Sequence, residues 1–213
     1  VIIHLPAVQH LAAVDPIMGR LIGEVGPCTL MPKSRRSPFE SLVRAIAYQQ
    51  LHAKAAESIL RRFIALFPTR RFPHPADLLA VKTRSVRLSG FSRPKIKALR
   101  DLAAKTLDGT VPTSRIIKAL EDEVIVERLT GVHGIGRWTV EMLLIFQLGR
   151  PDVLPADDFG IRNGFRIVFN RRTMPTPKDV LRYGVRWKPY RTVASWYLWR
   201  AAERGSLRIV QSR

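Results

Sequence analysis

Leu129-Thr-Gly-Val-His-Gly-Ile-Gly-Arg-Trp-Thr139, followed by Pro155-Ala-Asp-Asp158, decides how this chain folds. Residues 121–129 and 137–148 both read as helices, so Thr130 to Gly136 must reverse the chain between them. Glycines at 131, 134 and 136 permit positive φ angles and a tight turn, and they let backbone approach a ligand without interference from a Cβ. A helix that starts at about Arg137 points its unpaired N–H groups and positive dipole end at the turn, which suits an anion such as a phosphate. By itself, Gly-x-x-Gly-x-Gly is also the geometry of an ordinary αα corner. The Trp138-Thr139 pair that follows, and the basic character of the chain, favour phosphate.

Outward from the hairpin the pattern is helical almost throughout. Ser37-Pro38-Phe39-Glu40 has the form of a capping box with Pro at the first helical position, and Phe39, Leu42, Val43, Ile46 and Ala47 then recur at helical spacing. Ala53 to Phe67 places Ala56, Ile59, Leu60, Phe63 and Phe67 on one face. Pro68, Pro73 and Pro75 break the chain. Ser92-Arg93-Pro94 starts a helix with Ile96, Leu99, Leu102 and Ala103 inward and Lys95, Lys97 and Arg100 outward. Further helices are predicted over 114–129, 137–148, 158–170, 176–184 and 189–204. Only Val1 to Leu5 and Leu207 to Val210 could be extended. The reading is an all-α fold in two interlocked helical lobes, 38–150 and 1–37 with 151–213, divided at the Pro-containing breaks near 31–38 and 150–156.

The 213 residues carry 36 Lys and Arg against 17 Asp and Glu, a formal charge of +19. Such an excess suggests a polyanionic partner, although the sign alone does not separate DNA, RNA and an anionic membrane. Cys28 is the single cysteine. An internal disulfide, a Cys-rich zinc site and an iron–sulfur cluster are therefore excluded. No apolar run approaches the roughly 20 residues that span a bilayer, and nothing resembles a signal peptide. No membrane partner is expected. The simplest expectation is a monomer in the cytoplasm, associated with the nucleoid, or in the nucleus of a eukaryote.

The motifs carry a resemblance. Leu129 to Thr139 resembles the hairpin of the helix-hairpin-helix DNA glycosylase superfamily, and Pro155-Ala-Asp157-Asp158 with Phe159-Gly-Ile-Arg162 is similar to that superfamily's catalytic segment. Within it, the likeness is to the 3-methyladenine DNA glycosylases. Leu42 to Ala56 is similar to their DNA-wedging segment. Arg186-Trp-Lys-Pro-Tyr-Arg191, followed by Trp199, is similar to their closing helix. The likeness runs from about residue 8 to residue 204, one unit spanning the chain, and implies that damaged double-stranded DNA and the base pocket occupy the cleft between lobes.

The resemblance assigns catalysis to Asp158, with Asp157 supporting or capping it. An Asp before an apolar-periodic helix is equally a good N-cap. It places Trp138, Met142 and Trp199 at the base pocket, although aromatics at helical spacing are most often core. It makes Gln50 or Leu51 the wedge that fills the gap left by a flipped base, with His52 as a minor-groove contact. Gly134, Gly136, Arg137 and Thr139 would bind the DNA backbone. No cofactor is required, and a monovalent cation would sit on the backbone carbonyls of Thr130, Val132 and Ile135. Where strand-cutting relatives carry a nucleophilic lysine this chain has Trp138, which forms no Schiff base. The implied activity is monofunctional excision of alkylated purines. A glycosylase for deaminated or mismatched bases, and a non-catalytic DNA-binding module, are the alternatives.

Overall fold

The computed structural model describes residues 4–32 and 36–205. Among the described residues it has thirteen α-helices and no strand. In chain order these are α1 (Leu5–Val14), α2 (Pro16–Val25), α3 (Pro38–Tyr48), α4 (Ala53–Ile64), α5 (Pro75–Ala80), α6 (Thr83–Leu88), α7 (Arg93–Leu107), α8 (Ser114–Ala119), α9 (Asp122–Thr130), α10 (Arg137–Leu143), α11 (Phe159–Val168), α12 (Pro177–Gly184) and α13 (Arg191–Arg204). A π-helical turn, Leu144–Leu148, continues directly from α10. Of the two pieces that could be extended, Leu5 opens α1, and residues 1–3 and 207–210 lie outside the described residues.

The sequence predicts one helix over 114–129, and the structure breaks it. Leu120 and Glu121 are both extended, at ψ 149° and 148°. Glu121-Asp122-Glu123 concentrates negative charge where it favours a new helix start. The short helices α5 and α6 are absent from the sequence reading. There Pro75 counts as a breaker, yet it occupies the first turn of α5, where its missing N–H costs nothing. At α3, Ser37 Oγ accepts the Glu40 amide at 3.1 Å. The Glu40 carboxylate turns instead to Arg44, at 2.9 Å.

The chain forms two compact units, Val1–Pro32 with Leu144–Arg213, and Lys33–Leu143. The sequence places the second division after residue 150. The structure places it at 143/144, where the α-helix gives way to the π turn.

In the first unit, α11 lies against α13. Ile161, Phe165 and Val168 are buried from one side and Ala194, Tyr197 and Leu198 from the other. Phe165, Phe169, Tyr183 and Trp187 form an aromatic cluster with ring centroids 4.4–6.3 Å apart. Trp187 is fully buried, and its Nε1 donates to Asp15 Oδ2 at 3.0 Å. Asp15 Oδ1 meanwhile caps α2 by accepting the amides of Ile17 and Met18. Burial and the nearby Asp15 carboxylate push the Tyr183 hydroxyl up to about 12. Trp187→Phe removes one hydrogen-bond donor from the buried Asp15 carboxylate. It is expected to destabilise the fold by about 1–3 kcal/mol, read as a lower melting temperature. An unchanged melting temperature would refute this coupling.

In the second unit, α7 buries Ile96, Leu99, Leu102 and Ala103 as its periodicity requires, and Lys97 is exposed. Lys95 and Arg100 depart from the outward reading. Lys95 Nζ donates to the carbonyls of Ala47 (2.9 Å) and Gln49 (2.7 Å) at the end of α3. Arg100 donates to Leu79 O (2.8 Å) and Val81 O (2.6 Å) at the end of α5. Further along, Lys105 donates to Gly131 O, just past α9. The last carbonyls of a helix have no partner of their own and attract cations. Three basic residues of α7 thus cap three other helices, and this part of the positive charge is structural.

Candidate active site

The hairpin is built on few bonds. The Val132 amide donates to Leu129 O and the Ile135 amide to Val132 O, each at 3.1 Å, and the amides of Thr139 and Val140 reach Gly136 O at 3.0 and 3.3 Å. The three glycines do different work. Gly131 is an ordinary helical C-cap at φ −64°. Gly134 takes φ +77°, which strains any residue with a Cβ. At Gly136 an added Cβ would meet nothing within 4 Å, so this side of the turn is open. Among the described residues, no backbone hydrogen bond engages the amides of Gly136 and Arg137.

Charged side chains hold this turn in shape. Asp101 Oδ2 accepts the His133 amide at 2.7 Å and the Lys105 ammonium at 2.9 Å. Burial works against the Asp101 charge, but the amide and the ammonium together lower its pKa below the usual carboxylate value. The Arg137 guanidinium bonds to Glu123 through both terminal nitrogens and reaches Glu141 at 3.2 Å, bridging α9 and α10. These hydrogen bonds, Glu123's foremost, raise its pKa. Arg137, read as a DNA contact, therefore offers its backbone amide, while its side chain is bound within the protein. Thr139 is buried, and it lines the cavity beside the hairpin.

Beside the hairpin lies a cavity of about 700 Å³ whose walls include Tyr48, Gln49, Gln50, Lys95, Trp138 and Met142. Trp138 is 46% exposed. The α3–α4 turn brings Gln50 to this cavity in the left-handed conformation, at φ 55°. Leu51 and His52 are exposed on the same turn, and the His52 side chain makes no capping bond to α4. The structure thus gathers the hairpin, two of the predicted pocket residues and one of the two wedge candidates around one cavity.

Asp158 and Trp199 come together in the first unit. Asp158 is half-buried and Asp157 exposed. Asp158 Oδ1 accepts the Ile161 amide at 2.9 Å, capping α11, and the Trp199 indole N–H at 2.9 Å. Capping and a positioned carboxylate are therefore the same arrangement. Trp199 stacks on Phe146, with centroids 5.6 Å apart and 28° between planes. The sequence reading assigns Trp199 to the base pocket and misses both its bond to Asp158 and Phe146 itself, because nothing in the helical pattern marks a π turn. Gly160 is needed here. Its Cβ would stand 2.9 Å from Trp199 Cδ1 and 3.0 Å from Asp158 Oδ1. The other two tryptophans, 187 and 196, are core.

The sequence profile of the HhH-GPD superfamily base excision DNA repair proteins matches residues 43–189, a span that holds the hairpin, the cavity residues and Asp158. This chain belongs to the HhH-GPD superfamily. DNA-3-methyladenine glycosylase 1 of Schizosaccharomyces pombe is 43% identical over 197 residues, which cover 91% of this chain and 86% of that protein. The solved S. pombe 3-methyladenine DNA glycosylase, in complex with abasic DNA, superposes with a TM-score of 0.81 at 42% identity, covering 93% of this chain and 97% of that one. A DNA-3-methyladenine glycosidase from Bacillus halodurans gives a TM-score of 0.84 at 35% identity, over 92% and 89% of the two chains. As an HhH-GPD protein the chain has the all-α fold of the superfamily. Among the described residues, no group of three or more His, Cys, Asp or Glu could hold a metal ion, and no helix is long and apolar enough to cross a membrane.

Proposed function

We propose that this chain is a monofunctional DNA glycosylase that hydrolyses the N-glycosidic bond of alkylated purines, of the 3-methyladenine and 7-methylguanine type, in duplex DNA and leaves an abasic site. The observation that carries the reading is the Asp158 carboxylate, held by the Trp199 indole and the Ile161 amide in a chain of this superfamily. Departure of the base leaves an oxocarbenium-like sugar. A fixed carboxylate stabilises that cation and orients the water that adds to C1′. N3- and N7-alkylated purines already carry positive charge. They leave as neutral bases when the bonding electrons pass to them, and need little protonation by an acid.

The remaining roles follow from the hairpin and the cavity. The amides of Gly136 and Arg137 suit a DNA phosphate, which they read without regard to sequence. Trp138 and Met142 wall the base site, and an indole face gains about 0.5–2 kcal/mol from a cationic base, depending on desolvation. A monovalent cation on the hairpin would use the carbonyls of Thr130, Val132 and Ile135, of which Val132 O already accepts the Ile135 amide. It would add positive charge next to the phosphate. The lysine that lines the cavity, Lys95, has its ammonium on two carbonyls and is not poised as a nucleophile.

Oligonucleotides that each carry a single lesion test this reading. Free base is expected from 3-methyladenine and 7-methylguanine duplexes, the abasic strand is expected intact until treated with alkali, and borohydride is expected to trap no protein–DNA adduct. Release from uracil or hypoxanthine duplexes alone would favour the deaminated-base reading. Tight abasic-site binding with no release from any lesion would favour a non-catalytic module. A trapped adduct would overturn the monofunctional assignment.

A further inference from the structure

We infer that Lys95 is a positioning residue for base flipping: by holding the carbonyls that end α3, it fixes the turn that presents Gln50 and Leu51. The inference rests on the reading of that turn as the wedge. Its basis is how completely Gln49 is fastened, next to a residue in a strained conformation. The Gln49 amide donates to Ala45 O at 3.2 Å, its carbonyl accepts from Lys95 Nζ at 2.7 Å, and its side-chain Nε2 donates to Gly134 O of the hairpin at 3.0 Å. Lys95 takes Ala47 O as well, at 2.9 Å. On the far side, the Leu51 amide returns to Tyr48 O at 3.2 Å.

Gln50, between these fixed points, stands at φ 55°. A residue with a Cβ keeps that conformation only when its surroundings over-determine it. Lys95 is the charged member of those surroundings. It lies on the wall of the cavity that also includes Gln50 and Trp138. Its ammonium is held there by the two carbonyls, and burial lowers its pKa. Arg100 and Lys105, the other cations of α7 that cap helices, grip carbonyls away from this turn. Removing the Lys95 ammonium frees the end of α3, so Gln50 relaxes and the chain loses the shape that replaces an extruded base. Contacts to the DNA backbone remain.

The test uses duplex DNA with a 7-methylguanine, and a parallel duplex with 2-aminopurine beside the lesion as a fluorescent report of flipping. Lys95→Met is expected to slow single-turnover base release by about 10- to 100-fold and to abolish the fluorescence rise. Its Kd for undamaged duplex is expected to stay close to wild type. Lys95→Arg should restore both signals, since a guanidinium supplies more than the two donors needed. A capping role in stability alone would lower the melting temperature without separating release from binding. Should Lys95→Met fail to fold, Lys95→Gln and Gln49→Leu carry the same test, the latter by cutting the tie to Gly134. Flipping and release at wild-type levels in these variants would overturn the inference. The double variant Gln50→Ala, Leu51→Ala distinguishes the two failures. If it loses flipping while the Lys95 variants keep it, the wedge stands and Lys95 does not position it. If it flips normally, the wedge reading has failed and the inference falls with it.

Discussion

Asp158→Asn is expected to bind lesion DNA as the wild type does and to release base about 10²–10³ times more slowly, the cost of deleting one preorganised charge at a developing ion. The substitution keeps an oxygen for the two bonds that Asp158 Oδ1 accepts, from the Ile161 amide and from Trp199 Nε1. An asparagine Oδ1 can accept both bonds, though more weakly than a carboxylate oxygen, and Asn caps a helix about as well as Asp. The fold and the Trp199 contact should therefore be retained, and the charge proposed to act on the sugar is what is lost. Single-turnover release from a 7-methylguanine duplex, with binding measured separately, reads the effect. Asp157→Asn is the matched control, because Asp157 is exposed and its variant should excise normally. Wild-type excision by Asp158→Asn would remove the carboxylate from the mechanism.

Gly164→Ala is expected to be the most damaging single methyl in the first unit. Helix propensity alone argues the other way, since Ala is better than Gly inside a helix by about 1 kcal/mol. Packing decides the sign. A Cβ at Gly164 would lie 2.0 Å from the carbonyl oxygen of Leu198 and 2.7 Å from its carbonyl carbon, and backbone in the middle of α13 has no rotamer to change. The two helices must part, at a cost of about 3 kcal/mol or more. For a chain of this length that is a fall in Tm of about 6–12 °C. Because Leu198 precedes Trp199, the separation also disturbs the indole bond to Asp158, so activity should fall in the variant even well below its Tm. A thermal melt and a release assay at 20 °C check both parts. A Tm equal to or above that of the wild type would show that α11 and α13 do not meet at this glycine.

Much of the fold is legible in the sequence because it rests on local rules. The apolar spacing from Phe39 to Ala47 and from Ile96 to Ala103, the cap at Ser37 and the glycine at 134 each act within a turn or two of chain. What was not legible depends on partners far apart in sequence. Whether Lys95 and Arg100 face solvent is decided by carbonyls at positions 47–49 and 79–81. The side chain of Arg137 is decided by Glu123 across the turn. The site divides in the same way. The hairpin and Asp158 announce themselves as motifs, whereas the bond between residues 158 and 199 and the stacking of Phe146 exist only after folding. The short helices α5 and α6 escaped because six residues carry too little periodicity to show.

The spacing of the three capping cations on α7 has a consequence for how the protein can vary. Positions 95, 100 and 105 are separated by five residues, a rotation of about 140° at each step on an α-helix, so the three side chains radiate to different sides of one axis. Inserting or deleting a single residue between Lys95 and Lys105 would turn one end of the helix about 100° against the other. At least one of the ends of α3, α5 and α9 would lose its counter-charge. Substitutions on the exposed face of α7 can accumulate freely, but its length cannot drift. Among descendants of this chain, α7 should be a segment free of gaps.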